Sequence, residues 1–398
     1  MTRAPEPGAS GPPDGGITEL ALLFLKLGVI AFGGPAAHIA MMEDEVVTRR
    51  KWIERQHFLD LIGATNLIPG PNSTEMTMHV GFERAGWRGL FVAGSCFILP
   101  AVAITGGVAW LYVTYGTIPA VEPFLIGIKP VVIAVILGAV WRLGRPAIKD
   151  WRFAALGVAV AGAPLLGVGE IPALLAGGVL GMLWLRSTGR PDTGSADRYL
   201  SILFLQSPRD TAGVIAGAAA AGAAASLSLG KLFLFFLKVG SVLYGSGYVL
   251  IAFLEGGLVR DLGWLTRFQL LDAVAAGQLT PGPVLSTATF VGYVVDGWAG
   301  AGAATLGIFL PSFVFVLMLN PIIPRIRRSV WLSAFLDAVN VAALALMAAV
   351  TLELAVGILT SGPAWLIAIA AAVLALRLRV NAAWLVLGGA VLGWLLAR

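Results

Sequence analysis

The sequence predicts an all-α polytopic membrane protein made of two inverted-topology repeats of about five spans each, every repeat carrying a re-entrant Pro-Gly-Pro helical hairpin. Three observations lead there: the composition, an internal repeat, and a helix-breaking triplet set twice in apolar sequence. The 398 residues are 58% hydrophobic and only 12% charged, where soluble domains carry about 25% charged residues. Mean hydropathy is +0.87. The 50 Gly and 22 Pro suit membrane helices, in which both are more frequent than in soluble ones.

The repeat appears when residue i is set beside residue i+212. "FLKLG" (24–28) meets "FLKVG" (236–240), Glu43 meets Glu255, Trp52 meets Trp264, Asp60 meets Asp272, and Pro69-Gly70-Pro71 meets Pro281-Gly282-Pro283. Beyond that the offset is 211: Gly86-Trp87 meets Gly297-Trp298, and Leu99-Pro100 meets Leu310-Pro311. Matches at Trp, Pro and ionisable positions mark duplication and not shared composition.

The elements follow in order. Residues 1–17, rich in Pro and Gly, read as a disordered N-terminal tail without a signal pattern. The first repeat occupies 18–186. A helix over about 19–42 is interrupted by "FGGP" at 32–35, and a charged loop follows at 43–56. Two short segments, about 57–68 and 72–83, flank Pro-Gly-Pro. Each is about 18 Å long at the helical rise, too short to cross a bilayer, so together they fit a hairpin that dips in and returns. Apolar helices come next, near 88–113, 120–141, 153–168 and 171–186. Residues 187–230 read as a linker whose Ala/Gly-rich stretch, 211–229, is a surface helix or a further span. The second repeat occupies 231–398, with "YGSG" where the first has "FGGP", so that Gly247 replaces Pro35.

An odd number of spans per unit turns the second unit upside down. The charges agree: loop 43–56 holds Arg49, Arg50, Lys51 and Arg55, while its mate offsets Arg260 and Arg267 with Glu255 and Asp261. Loop 114–119 has no basic residue, while its mate holds Arg325, Arg327 and Arg328. Basic loops face the cytoplasm. Arg142, Arg145, Lys149 and Arg152 form another such cluster. The net charge of +5 is therefore a membrane signature. It lacks the contiguous basic face that nucleic acid would need.

"FLKLGVIAFGGPAAHIAMMEDEVV", "LIPGPNSTEMTMHVGF" and "LTPGPVLSTATFVGY" resemble the chromate ion transporter family in its long, two-domain form, over nearly the whole chain from about residue 18. The resemblance implies chromate export across the cell inner membrane, sulfate as a chemical look-alike, and coupling to a proton gradient or the membrane potential, as in an antiporter.

The residues themselves suggest where an anion sits. Pro71 suits the first turn of a helix, and Asn72, Ser73 and Thr74 are capping types. A half-helix starting there inside the membrane offers N–H groups and a positive dipole end to an oxyanion. Asn66 and Gly70 complete that tip; Gln278, Gly282, Ser286 and Thr287 form its counterpart. Gly33, Gly34 and His38 at the first helix break, and Gly245 at the second, join the candidate set, as do Lys26 and Lys238, whose charges balance a dianion. The alternatives are tight loops without ligand, lysines that snorkel to an interface, and a structural histidine. Glu75 repels an anion unless it carries a proton, which makes it a candidate proton carrier; the other reading pairs it with Arg84 or Arg88. Asp60 and Asp272 are expected to cap short helices near the surface.

The sequence thus describes a secondary transporter of tetrahedral oxyanions, with chromate efflux first and sulfate uptake second. A membrane-embedded enzyme built on Glu75 and His79 is the rival from another class, and a purely structural scaffold is a third reading. The single Cys96 forms no internal disulfide, and no Cys/His cluster calls for a metal or other cofactor. The expected partners are the anion and the lipid bilayer. Oligomeric state is open, with a homodimer among the options.

Overall fold

The computed structural model describes residues 16–396 apart from 33, 67, 117, 119–120, 188–228, 245–246, 320–329 and 379. Gly33, Gly245, Arg325, Arg327, Arg328, nearly all of the linker and nearly all of the N-terminal tail lie outside the described residues.

Among the described residues every regular element is helical. The first half runs α1 (Gly16–Ile30), α2 (Pro35–Glu43), a π-helical turn (Asp44–Arg49), α3 (Arg55–Thr65), α4 (Asn72–Tyr115), α5 (Glu122–Ala147), α6 (Trp151–Gly162) and α7 (Glu170–Ser187). The second runs α8 (Leu229–Val242), a 3-10 turn (Gly247–Val249), α9 (Leu250–Leu254), a π-helical turn (Glu255–Asp261), α10 (Arg267–Leu279), α11 (Thr287–Leu319), α12 (Val330–Ile358), α13 (Gly362–Leu376) and α14 (Ala382–Leu396). Among the described residues four segments are long and apolar enough to cross a bilayer: Asn72–Tyr115, Glu122–Ala147, Val284–Met318 and Trp331–Ile358. Trp151–Leu166, Glu170–Trp184, Gly362–Leu376 and Ala382–Leu396 are apolar but shorter. The chain is a polytopic membrane protein.

The halves match in backbone detail. α4 breaks at Ala85 (φ −146°, ψ 27°) and Gly86 (φ 58°, ψ −148°). α11 breaks at Asp296 (φ −151°, ψ 42°) and Gly297 (φ 56°, ψ −149°). That second conformation is open to glycine and strained for other residues, which explains the repeated glycine. The first helix of each half also breaks where expected: α8 ends at Val242 and helix resumes at Gly247, so the loss of Pro35's counterpart does not remove the break. Another match is an ion pair, Arg55–Glu43 at 3.4 Å and Arg267–Glu255 at 3.3 Å.

Packing explains the glycine of "FLK(L/V)G". α1 lies on α4 and α8 on α11. A methyl group on Gly28 would stand 2.7 Å from the Phe97 carbonyl oxygen, and one on Gly240 would stand 2.5 Å from that of Ile308. Only a bare Cα permits helices this close. The halves then interlock: α5 packs on α13 and α14, while α12 packs on α6 and α7. Most buried apolar side chains form one shared core, and α1, α2, α3 and the start of α4 close a second, smaller one around Phe24, Phe58 and Phe97.

Two local expectations need correction. Pro71 is the N-cap of α4 and not a first-turn residue, and no side chain caps that end; Asn72 donates to Asn66 Oδ1 at 2.7 Å instead. Asp60 and Asp272 lie inside α3 and α10, not at their starts. Asp272 is buried and accepts a 3.0 Å bond from the Tyr112 hydroxyl of the first half, so it joins the halves.

Candidate functional site

The Pro-Gly-Pro tips meet the helix breaks of the opposite half. Gly70 N–H donates to the Leu243 carbonyl at 2.7 Å, and Gly282 N–H donates to the Ala31 carbonyl at 2.9 Å. These bonds are repeat equivalents, since 31 + 212 = 243 and 70 + 212 = 282. Each tip therefore seals the carbonyl left open where the other half's first helix stops. The tip glycine amides, expected to hold an anion, are occupied by this latch in the present conformation.

His38 extends the latch. Its Nε2 lies 3.0 Å from the Ala31 oxygen, a group that only accepts, so Nε2 carries the proton. Its Nδ1, 3.2 Å from Ser73 Oγ, accepts from the hydroxyl when the ring is neutral. One chain of polar contacts thus runs from the second tip, through Ala31 and His38, to the helix start of the first tip. Both ring nitrogens are used by protein groups.

The two tips differ in chemistry. At the first, Glu75 is fully buried, and neither carboxylate oxygen has a hydrogen-bond partner of good geometry. Its neighbours are Gly70 and Ser312, whose hydroxyl crowds the same glycine and is itself unpartnered, as is the buried Thr74 hydroxyl. Pairing with Arg84 or Arg88 does not occur. Arg84 lies 4.0 Å from Glu19 and over Trp52, and Arg88 over Trp87. At the second tip Thr287 stands in the place of Glu75 and donates to the Val284 carbonyl. Ser286 accepts from Thr105 at 3.0 Å.

A cavity lies against each tip. The first, about 250 Å³, is lined by Asn66, Asn72, Asn340 and the Lys149–Asp337 pair, which is closed at 2.6 Å. The second, about 230 Å³, brings together Gly34, Arg142, Tyr248, Gln278, Gly282 and Asn381. Asn66, Asn72, Gly34, Gln278 and Gly282 were legible in the sequence; Arg142, Tyr248, Asn381, Ser312 and Thr105 were not. Arg142 read as one of a run of loop arginines, yet it lies in α5 on the cavity wall.

Lys26 and Lys238 line neither cavity. Lys26 is half exposed and donates to Glu45 at 2.8 Å; Lys238 is exposed on α8. The Lys26 ammonium beside Glu45 holds that carboxyl below its usual range; partial burial opposes this and Arg50 adds to it. Among the described residues no cluster of His, Cys, Asp and Glu could hold a metal ion.

The chain matches a family model described as "Chromate transporter" twice, over residues 18–182 and 230–394. It is 31% identical to a chromate transport protein of Pseudomonas aeruginosa, across 96% of this chain and 93% of that protein. It is 28% identical to one of Cupriavidus metallidurans, across 96% and 93%. A probable chromate transport protein of Synechococcus elongatus is 29% identical over 82% of this chain and 81% of its own length. No solved structure matches the chain.

Proposed function

The chain belongs to the chromate transporter family, and from that premise we propose that it exports chromate from the cytoplasm across the cell inner membrane. It is a transporter and not an enzyme. In this reading the two repeats lie upside down to each other in the bilayer. Their re-entrant tips meet near the midplane, and the anion binds between them during alternating access.

The reciprocal latch is the observation that carries the reading. Gly70 to Leu243 and Gly282 to Ala31 are two equivalent bonds across the repeat interface, the kind of paired contact that one state makes and another breaks. An anion that takes a tip amide competes with the carbonyl that now holds it. Glu75, buried with no charged partner and only the Ser312 hydroxyl beside it, serves as the proton carrier: an ionised carboxylate there lacks compensation, whereas a proton lets the site close. The driving force favours export. A charge crossing 100 mV is worth about 2.3 kcal/mol, so a dianion leaving an inside-negative cell gains roughly twice that.

Purified protein in liposomes tests this directly. Loaded chromate should leave faster when the interior is made negative, and an opposing proton gradient should alter the rate. Chromate flux no greater than in protein-free vesicles would end the proposal, and potential-independent inward movement of sulfate alone would replace it with sulfate uptake.

A further inference from the structure

We propose that the transported oxyanion rests at the second tip alone, held by the Arg142 guanidinium and the Gln278 side-chain amide, with Arg145 and Arg377 drawing it in. This deepens the transport reading and rests on it for the identity of the anion.

Two donors line the second cavity, one a buried unpaired amide and the other an exposed guanidinium. Gln278 is only 9% exposed. Its Oε1 accepts from the Tyr248 hydroxyl at 3.0 Å, which fixes the amide and turns its NH₂ group away from that bond. The amide nitrogen has no acceptor. A buried donor left unpaired costs about 1–3 kcal/mol, a penalty that an incoming acceptor removes. Arg142 lines the same cavity, and no hydrogen bond or ion pair engages it among the described residues. Guanidinium groups suit oxyanions because their N–H donors are set in a planar fork. The 230 Å³ cavity has room for roughly seven waters at about 30 Å³ each, enough for a tetrahedral anion.

The first tip lacks this character. Asn66, the repeat counterpart of Gln278, is exposed, so water meets its side-chain amide and no buried donor is left unpaired there. Lys149 is neutralised by Asp337, and buried Glu75 adds a carboxyl nearby. One tip has spare donors and a spare positive charge; the other has a spare carboxyl. The asymmetry divides the labour, with the anion at the second tip and the proton at the first.

Arg142 also lines a wider hollow of about 790 Å³ with Trp141, Arg145 and Arg377. Three arginines at the mouth of a cleft raise the local anion concentration and the rate of capture. Under the positive-inside bias this end of α5 faces the cytoplasm, the side from which an exporter loads.

The test compares Arg142→Gln, Arg142→Lys, Gln278→Leu and Lys149→Gln in liposomes, with chromate flux measured against concentration. Binding of labelled sulfate and chromate to detergent-solubilised protein gives a second readout. Arg142→Gln and Gln278→Leu should each weaken anion binding and raise KM by at least about tenfold. Arg142→Lys should recover part of the loss, and Lys149→Gln should stay near wild type. Wild-type KM and binding in Arg142→Gln, or an equal loss in Lys149→Gln, would overturn the assignment. If the wild type binds the anion through Arg142 but moves none, the site stands and the transport reading falls.

Discussion

At the scale of single residues, the 2.8 Å pair of Lys26 and Glu45 ties part of the protein's stability to pH. Lys26 stands out as a charge in apolar sequence, and its conspicuousness suggested a substrate contact. The structure gives it Glu45, nineteen residues on, a pairing that no local pattern announces. Its role follows from linkage. Glu45 is held below its usual value of 4.5, so its contribution to stability is fully present above that value. It is lost as pH falls through the lower, folded-state value. Lys26→Met should therefore lower the unfolding midpoint modestly at neutral pH, by an amount within the roughly 0–1 kcal/mol of a half-exposed pair. The gap to wild type should close as the medium is acidified past 4.5; a constant gap would assign the loss to packing. Glu75 makes the opposite case. Its sequence position suggested a proton carrier, and the structure leaves it buried with no charged partner. Glu75→Gln should keep the fold and chromate binding while removing the response of flux to a proton gradient. A retained response, measured in vesicles with imposed pH steps, would take Glu75 out of the coupling.

At the scale of elements, glycine and proline wrote the plan plainly, because their effects are local. The breaks at "FGGP" and at each Pro-Gly-Pro were readable from residue type, while Gly86 and Gly297 showed in the sequence only as repeat equivalents. What the breaks touch was not, since Leu243 and Ala31 lie far along the chain from the amides they accept. Arg142 stayed hidden for a related reason: helix α5 runs past the point where its basic residues suggested a loop. Helix crossings yield a sharp contrast between two glycines. Gly28→Ala forces a methyl to 2.7 Å from a backbone oxygen and should cost about 1–3 kcal/mol. Gly107 has nothing within 4 Å of an added methyl, so Gly107→Ala should be neutral or stabilise by up to about 1 kcal/mol. Thermal unfolding of both variants in one detergent checks the pair; equal midpoints would remove close approach as the reason for the "FLK(L/V)G" glycine.

At the scale of the whole molecule, charge holds the halves together at the end of the bundle where Glu170 and the second half's π-helical turn meet. Arg260 reaches Glu170 of the first half at 3.3 Å, and Glu255 and Glu353 of the second at 2.7 and 3.1 Å; Arg267 joins through Glu255. Glu255 is completely buried but keeps Arg267, and Arg260 is partly exposed, so Arg260→Gln should destabilise by about 1 kcal/mol and favour opening at that end, read as faster protease cleavage near residue 260. Cleavage at the wild-type rate would show that the network does not clamp the halves. The duplication itself was legible from sequence, and the family match repeats it half by half. The opposed orientation of the halves is the claim on which latch, loading side and export all depend. Arg49 and Asp261 are repeat equivalents (49 + 212 = 261), both exposed. Arg49→Cys and Asp261→Cys, each made with Cys96→Ala and exposed in intact cells to a membrane-impermeant thiol reagent, decide it: the account predicts labelling at 261 and protection at 49 until the cells are opened, and labelling of both positions from the same side would contradict it.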